Sequence, residues 1–235
     1  MKRLLPACAA LGALAWSAAP AAQTKLPPIV QRASAYVAAF VTRFSNIVAE
    51  ERYLRQTEHP TQKRELLSDY LFVKPPANIS QRIREIASQN SRYNLDDIGS
   101  LDTPLLALSF LQPVYVERFA YTVGRHEDDF GPTVRVVQFR EIARPTLLHA
   151  EARDLPAHGF YWIDEENGRV FKTTLDFRSA FVTTTFRFDA ELQMDVPAEM
   201  TQRWYLGRNA STEFTATSTY GRFRRFNVQT EEKIR

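Results

Sequence analysis

Between positions 29 and 44 the apolar residues Ile29, Ala33, Tyr36, Val37, Phe40, Val41 and Phe44 recur at intervals of three and four, the spacing of one helical face. Pro27-Pro28 stands where a helix can begin without losing a backbone bond. After Phe44 the pattern changes. Residues 46–56 and 64–73 predict two strands, interrupted by His59-Pro60 and closed by Pro75-Pro76, and therefore a hairpin. In the second strand both phases are apolar, Leu66, Tyr70 and Phe72 on one side and Leu67, Leu71 and Val73 on the other, which predicts cover on both faces.

Ser80 can cap a second helix carrying Ile83, Ile86, Ala87, Asn90 and Tyr93, and Thr103-Pro104 opens a short third helix through Leu111, stopped by Pro113. Beyond Pro113 the chain reads as strands: 118–124, 134–142, 159–163, 169–178, 181–188, 196–206 and 213–228. Asn167-Gly168 predicts a tight turn joining two of them. Phe171, Thr173, Leu175 and Phe177 form one face opposite Val170, Lys172, Thr174 and Asp176. Val196, Ala198, Met200, Trp204 and Leu206 likewise oppose Glu199, Thr201, Arg203 and Tyr205, so these strands belong to an antiparallel sheet with one face covered and one in water. Tyr220 and Phe226 are in phase while Phe223 is not, which predicts a bulge between Gly221 and Arg225. Helices first and a long run of strands afterwards predict an α+β domain. Its centre is a long curved antiparallel sheet with helices covering one face, a half-barrel that encloses a cavity where the helices do not fill it.

The N-terminus changes the picture of compartment. Lys2 and Arg3 precede an apolar stretch from Leu4 to Trp16 and an Ala19-Pro20-Ala21 cleavage box, the layout of a secretory signal peptide cut after about Ala21. The apolar run is too short to span a bilayer, which takes about 20 residues. The expected organisation is a signal peptide over 1–21, a short linker over 22–28 and one domain over 29–235, exported to the periplasm or beyond, with no transmembrane segment in the mature chain. The only cysteine, Cys8, lies in the signal, so the mature protein has neither disulfides nor thiol chemistry.

Composition then removes functions. The 235 residues include only 8 glycines, all isolated, so no dinucleotide fingerprint, phosphate loop or nucleophile elbow can be written. The formal charge of +3 comes from 30 basic and 27 acidic residues. Removing Lys2 and Arg3 leaves 28 against 27, a balance of +1. His59, His126, His149 and His158 show no metal-ligand spacing, and the acidic run Glu127-Asp128-Asp129 reads as a solvated hairpin tip. Glu50 and Glu51 are neighbours on a strand and so point to opposite faces. The reading is noncatalytic, with no metal and no cofactor.

Aromatic residues carry the functional signal. Tyr70, Phe72, Phe119, Tyr121, Phe139, Phe171, Phe177, Phe186 and Trp204 fall on the inward phase of their strands. Any one of them fits a packed core; as a set they can line a pocket for an apolar ligand. Arg222, Arg224 and Arg225 lie around Phe223 near the last strand's end. On a sheet edge they would block strand addition, and they can alternatively meet anionic lipid headgroups. Export makes nucleic acid an improbable partner.

The series Phe160-Tyr161-Trp162-Ile163-Asp164, Gly168-Arg169-Val170, Val196-Pro197-Ala198-Glu199-Met200 and Ser218-Thr219-Tyr220-Gly221-Arg222-Phe223-Arg224-Arg225-Phe226 resembles the strand series of secreted bacterial proteins of unknown function. Their sheet is similar to the lipoprotein-carrier half-barrel of the LolA/LolB-like family. Phe44-Ser45, Val48-Ala49-Glu50-Glu51-Arg52-Tyr53, Ser91-Arg92-Tyr93-Asn94 and the Thr103-Pro104 segment resemble the same proteins. Those proteins are expected to carry a further hairpin before the second helix, where only Pro75 to Ser80 stand here. The resemblance implies a concave apolar face, closed by helices, that holds acyl chains. Two functions follow as expectations: binding of a lipid, lipoprotein or other hydrophobic molecule, or a solid-cored envelope module that engages another protein.

Overall fold

The computed structural model describes residues 25–45, 47–58, 61–72, 104–150, 153–177, 180–206 and 211–225. The signal segment, the helix expected after Ser80 and the Pro75–Ser80 connection lie outside the described residues.

Helix α1 runs over Pro28–Phe44, with Pro27 at its N-cap and the Gln31 amide bonded to the Pro27 carbonyl at 3.0 Å. Its buried residues are Ile29, Val30, Ala33, Ser34, Val37, Phe40 and Phe44, the stripe expected from the three-and-four spacing. At Ser45 the backbone turns extended and strand β1 (Ile47–Glu58) begins, followed by β2 (Thr61–Phe72). The two pair antiparallel from Ile47↔Phe72 to Glu58↔Thr61, which is the expected hairpin. The third helix is shorter than expected. Only α2, Leu106–Ser109, is α-helical, because the Phe110 and Leu111 amides bond back three residues, to Ala107 and Leu108, the tighter turn common at helix ends. A 3₁₀ turn over Val116–Arg118 leads into the remaining strands.

These are β3 (Phe119–His126), β4 (Val134–Glu141), β5 (His149–Ala150), β6 (Arg153–Asp154), β7 (His158–Asp164), β8 (Val170–Phe177), β9 (Ala180–Asp189), β10 (Met194–Leu206) and β11 (Ser211–Arg225). Among the described residues nine strands form one open antiparallel sheet in the order β2-β1-β11-β10-β9-β8-β7-β4-β3, and β5 pairs with β6 alone. The chain therefore meanders from β3 to β11 and returns to its beginning when β11 joins β1. Glu127-Asp128-Asp129 lies at the β3–β4 tip, partly as a 3₁₀ turn. The turn at Asn167-Gly168 forms as expected, with Gly168 at φ 79° and Asp164 accepting from the Glu166 amide at 2.8 Å. The bulge near the C-terminus also forms, between Glu50↔Gly221 and Val48↔Arg224, with Arg222 at φ 46°.

Two expectations are corrected. Strand β2 is not covered on both faces: Leu67, opposite Arg52, is 67% exposed, and among the described residues β2 stands at the edge of the sheet. The arginine-bearing strand is not an edge. β11 pairs with β10 over residues 211–219 and with β1 over 214–225, so among the described residues it has both neighbours over 214–219 and its arginine-bearing end pairs with β1 alone.

The core joins the α1 stripe and α2 to one face of the sheet. Tyr161 donates from its hydroxyl to the Ala107 carbonyl at 2.8 Å, tying β7 to α2. Burying each such large side chain contributes about 1.5–3 kcal/mol. Glu141 organises the excursion between β4 and β7: its buried carboxylate accepts from the Leu147 amide at 2.7 Å and the Ala157 amide at 3.3 Å, beside Arg118. Burial pushes its pKa up, against the two amide bonds and the charges of Arg118 and Arg144, which pull it down.

Candidate functional site

Cross-strand pairing places one row of residues on a common sheet face: Tyr121, Phe139, Gly159, Leu175, Val182, Gln202, Ala216 and their neighbours in register. At the β3, β4 and β7 end the aromatics fill the interior. Phe119 and Phe139 lie 5.7 Å apart edge to face, Phe139 stacks on Tyr161 at 4.4 Å, and Phe110 beside α2 stacks on Phe119 at 5.1 Å. Tyr121 is half-buried, donating to the Val116 carbonyl at 3.1 Å. A space of about 10 Å³ between α2 and Thr173, Leu175, Val182 and Thr184 has room for about one water.

The other end is different. Tyr53, Phe214 and Ala216 form a second buried cluster, and neither described helix contributes to it. Half-buried Trp204 joins it to the main core, stacked on Phe214 at 5.7 Å and edge-on to Phe177 at 6.3 Å. The Trp204 indole donates to the Gln202 carboxamide at 3.0 Å, and the Arg55 guanidinium lies 4.1 Å from the Phe214 ring centre. Tyr70 and Tyr220 meet edge to face at 6.1 Å. Beside them Glu51, 4% exposed, is within 3.4 Å of the Ser68 hydroxyl. Glu50 points the other way, to Arg222 at 3.2 Å, as strand geometry requires.

The expected site residues thus divide. Phe119, Tyr121 and Phe139 belong to the filled half; Tyr70, Phe177 and Phe186 are buried in the same main core, Phe177 lying edge-on to Trp204; and Trp204 alone of the set also packs on the second cluster. The side chain of Phe72 lies outside the described residues. Phe171 leaves the row because β8 bulges: Ile163 pairs with Val170 and Trp162 with Lys172, so Phe171 has no partner in register. Val170 takes the buried place, and Phe171 sits half-buried against Phe130 at 5.8 Å. A second bulge, between Pro197 and Glu199, removes Ala198 from its expected row. The three arginines have separate partners: Arg222 pairs with Glu50, Arg224 with Asp69 at 2.8 Å, and Arg225 donates to the Arg43 carbonyl at 3.3 Å.

A separate cleft of about 310 Å³ opens between the C-terminal half of α1 and the β9–β10 turn. Its floor is an ion pair. Asp195, 7% exposed, accepts from the Tyr36 hydroxyl at 2.5 Å and from Arg169 at 2.6 Å. Burial, then the bond and charge of Asp195, push the Tyr36 pKa well above the ordinary tyrosine range, so Tyr36 stays a donor. Arg43 donates to the Gln193 carbonyl at 2.6 Å, presented by a turn in which Gln193 has φ 52°. Phe188, the cross-strand partner of Asp195, is 51% exposed and forms an apolar wall. Periodicity places Tyr36 on the helix stripe and Phe188 at a strand end. No sequence signal joins them to Asp195, because their meeting depends on the docking of α1.

No family model and no curated protein matches the chain. Solved structures similar to it include a candidate outer membrane lipoprotein-sorting protein domain from Vibrio parahaemolyticus, at 11% identity and TM-score 0.43, covering 86% of this chain and 95% of that one. A DUF1329 family protein from Desulfovibrio piger aligns at 9% identity and TM-score 0.42, covering 85% and 94%. The first carries a lipoprotein-sorting description, the kind of protein to whose half-barrel the sheet of the resembled secreted proteins is similar. Likeness of this degree carries no statement of function, which rests on the site.

Proposed function

We propose that the protein is a noncatalytic, exported binding protein whose half-barrel sheet holds the apolar part of a lipid, lipoprotein or other hydrophobic molecule. The observation that supports this is the second cluster around Tyr53, Trp204 and Phe214, which neither described helix enters. In this reading the ligand lies against that half of the sheet, beside Trp204 and Phe214. Transfer of hydrocarbon from water contributes about 0.8 kcal/mol per methylene, so retention needs no catalytic group.

The test is native mass spectrometry after detergent-free purification, together with energy transfer from tryptophan to bound N-phenyl-1-naphthylamine. Trp204→Phe is expected to abolish most of the transfer and Trp162→Phe to preserve it, since Trp162 lies beside Lys172 at 4.4 Å, away from the cluster. Clean apo protein and no transfer would instead favour an interaction module with a solid core. That second reading is supported by the close packing of Phe110, Phe119, Phe139 and Tyr161.

A further inference from the structure

We propose that the cleft between α1 and the β9–β10 turn is a binding site for a small amphipathic anion, a carboxylate on a short aromatic or aliphatic body. The charges decide its sign. Asp195 is already satisfied by Tyr36 and Arg169, so it offers nothing to a cation. Arg43 uses one N–H on a backbone carbonyl and has no carboxylate within ion-pair distance among the described residues. With Arg43, Arg169 and Asp195 counted, the cleft carries one net positive charge. Arg225 adds a third cation next to it, bonded to the Arg43 carbonyl at the end of α1. A guanidinium with unused donors is suited to a two-oxygen anion.

The walls decide the rest. Phe188 is a large ring left half in water, and Phe40 and Met194 are the apolar surfaces near it. A volume of about 310 Å³ is at the lower end for small-molecule sites, enough for one short apolar body and too small for a long chain. The site is independent of the sheet cluster, and its failure would leave the hydrophobic-ligand reading standing.

Methionine-methyl NMR separates the two places, because Met194 lines the cleft and Met200 lies in the sheet core, 1% exposed. Titration with 4-phenylbutyrate is expected to shift the Met194 methyl and leave Met200 in place, with weaker binding at higher salt. 4-Phenylbutanol and 4-phenylbutylamine should bind at least about tenfold more weakly, as should Arg43→Gln with 4-phenylbutyrate, since a charge-assisted bond is lost in each case. An unchanged Met200 resonance in Arg43→Gln shows that the variant is folded. Equal binding of acid and amine, undiminished binding in Arg43→Gln, or no shift of Met194 would each overturn the proposal.

Discussion

The Tyr36 hydroxyl donates to Asp195 across 159 positions of sequence, at 2.5 Å, and the same carboxylate holds Arg169. One buried charge thereby clamps the first helix to two separate turns of the sheet. Gly168, in the turn beside Arg169, also touches that helix, since a Cβ there would lie 2.5 Å from the Arg32 carbonyl oxygen.

Tyr36→Phe removes one donor to a buried carboxylate and is expected to lower stability by about 1.5–3 kcal/mol, the range for hydrogen bonds to charged groups. Asp195→Asn should cost more, because Arg169 loses its charge partner while remaining only partly exposed. Urea unfolding of the three proteins gives the comparison.

Alkaline pH should unfold the protein steeply. Burial pushes the hydroxyls of Tyr36, Tyr121, Tyr161 and Tyr220 above the ordinary value of 10.0. Their folded pKa values are raised, so their contribution is complete below pH 10 and is lost as pH climbs above it toward the folded values. Each group removes about 1.4 kcal/mol per pH unit in that window, because the unfolded chain has released a proton that the folded one keeps. Unfolding midpoints measured between pH 8 and pH 11.5 should stay level from these groups up to about 10 and then fall. Tyr121→Phe should flatten the fall.

Gly159 and Gly168 make the tightest approaches among the described glycines, ones that a methyl group would block. At Gly159 a Cβ would meet the Thr174 carbonyl oxygen at 2.1 Å, and at Gly168 it would meet the Arg32 carbonyl carbon at 2.4 Å, with φ at +79°. Gly159→Ala and Gly168→Ala should each destabilise by about 2 kcal/mol or more, through backbone strain and displacement. Gly221→Ala has nothing within 4 Å and should change stability by no more than about 0.5 kcal/mol. Thermal denaturation of the three distinguishes contact from composition.

Glu141→Gln keeps the shape of the side chain but replaces one acceptor oxygen with an NH₂ group. Only one of the Leu147 and Ala157 amides then finds an acceptor, and the other faces a donor. The expected cost is about 1–3 kcal/mol, with hydrogen exchange accelerated at one of those two amides and not across the sheet.

Most of the elements are local facts and were legible as such. The three-and-four stripe of α1, the β1–β2 hairpin, the Asn167-Gly168 turn and the irregularity after Gly221 all follow from side-chain period and backbone preference within about ten residues. The bulges in β8 and β10 were not legible, because an extra residue is defined only against the partner strand. That is why Phe171 and Ala198 fall outside their expected rows. The fate of the last-strand arginines was equally hidden: whether they stand on an edge depends on β11 returning to β1, a closure between chain ends.

By itself the sequence determined the order of helix and strands, the inward phase of most strands and the absence of cysteine after residue 8. Tertiary structure alone decided which aromatics are packed solid and which surround Trp204, and it assembled Tyr36, Arg43, Arg169, Phe188 and Asp195 into one cleft. The reason is physical. Periodicity encodes which way a side chain points, while a cavity is the space left between surfaces, set by register, bulges and the docking of distant elements.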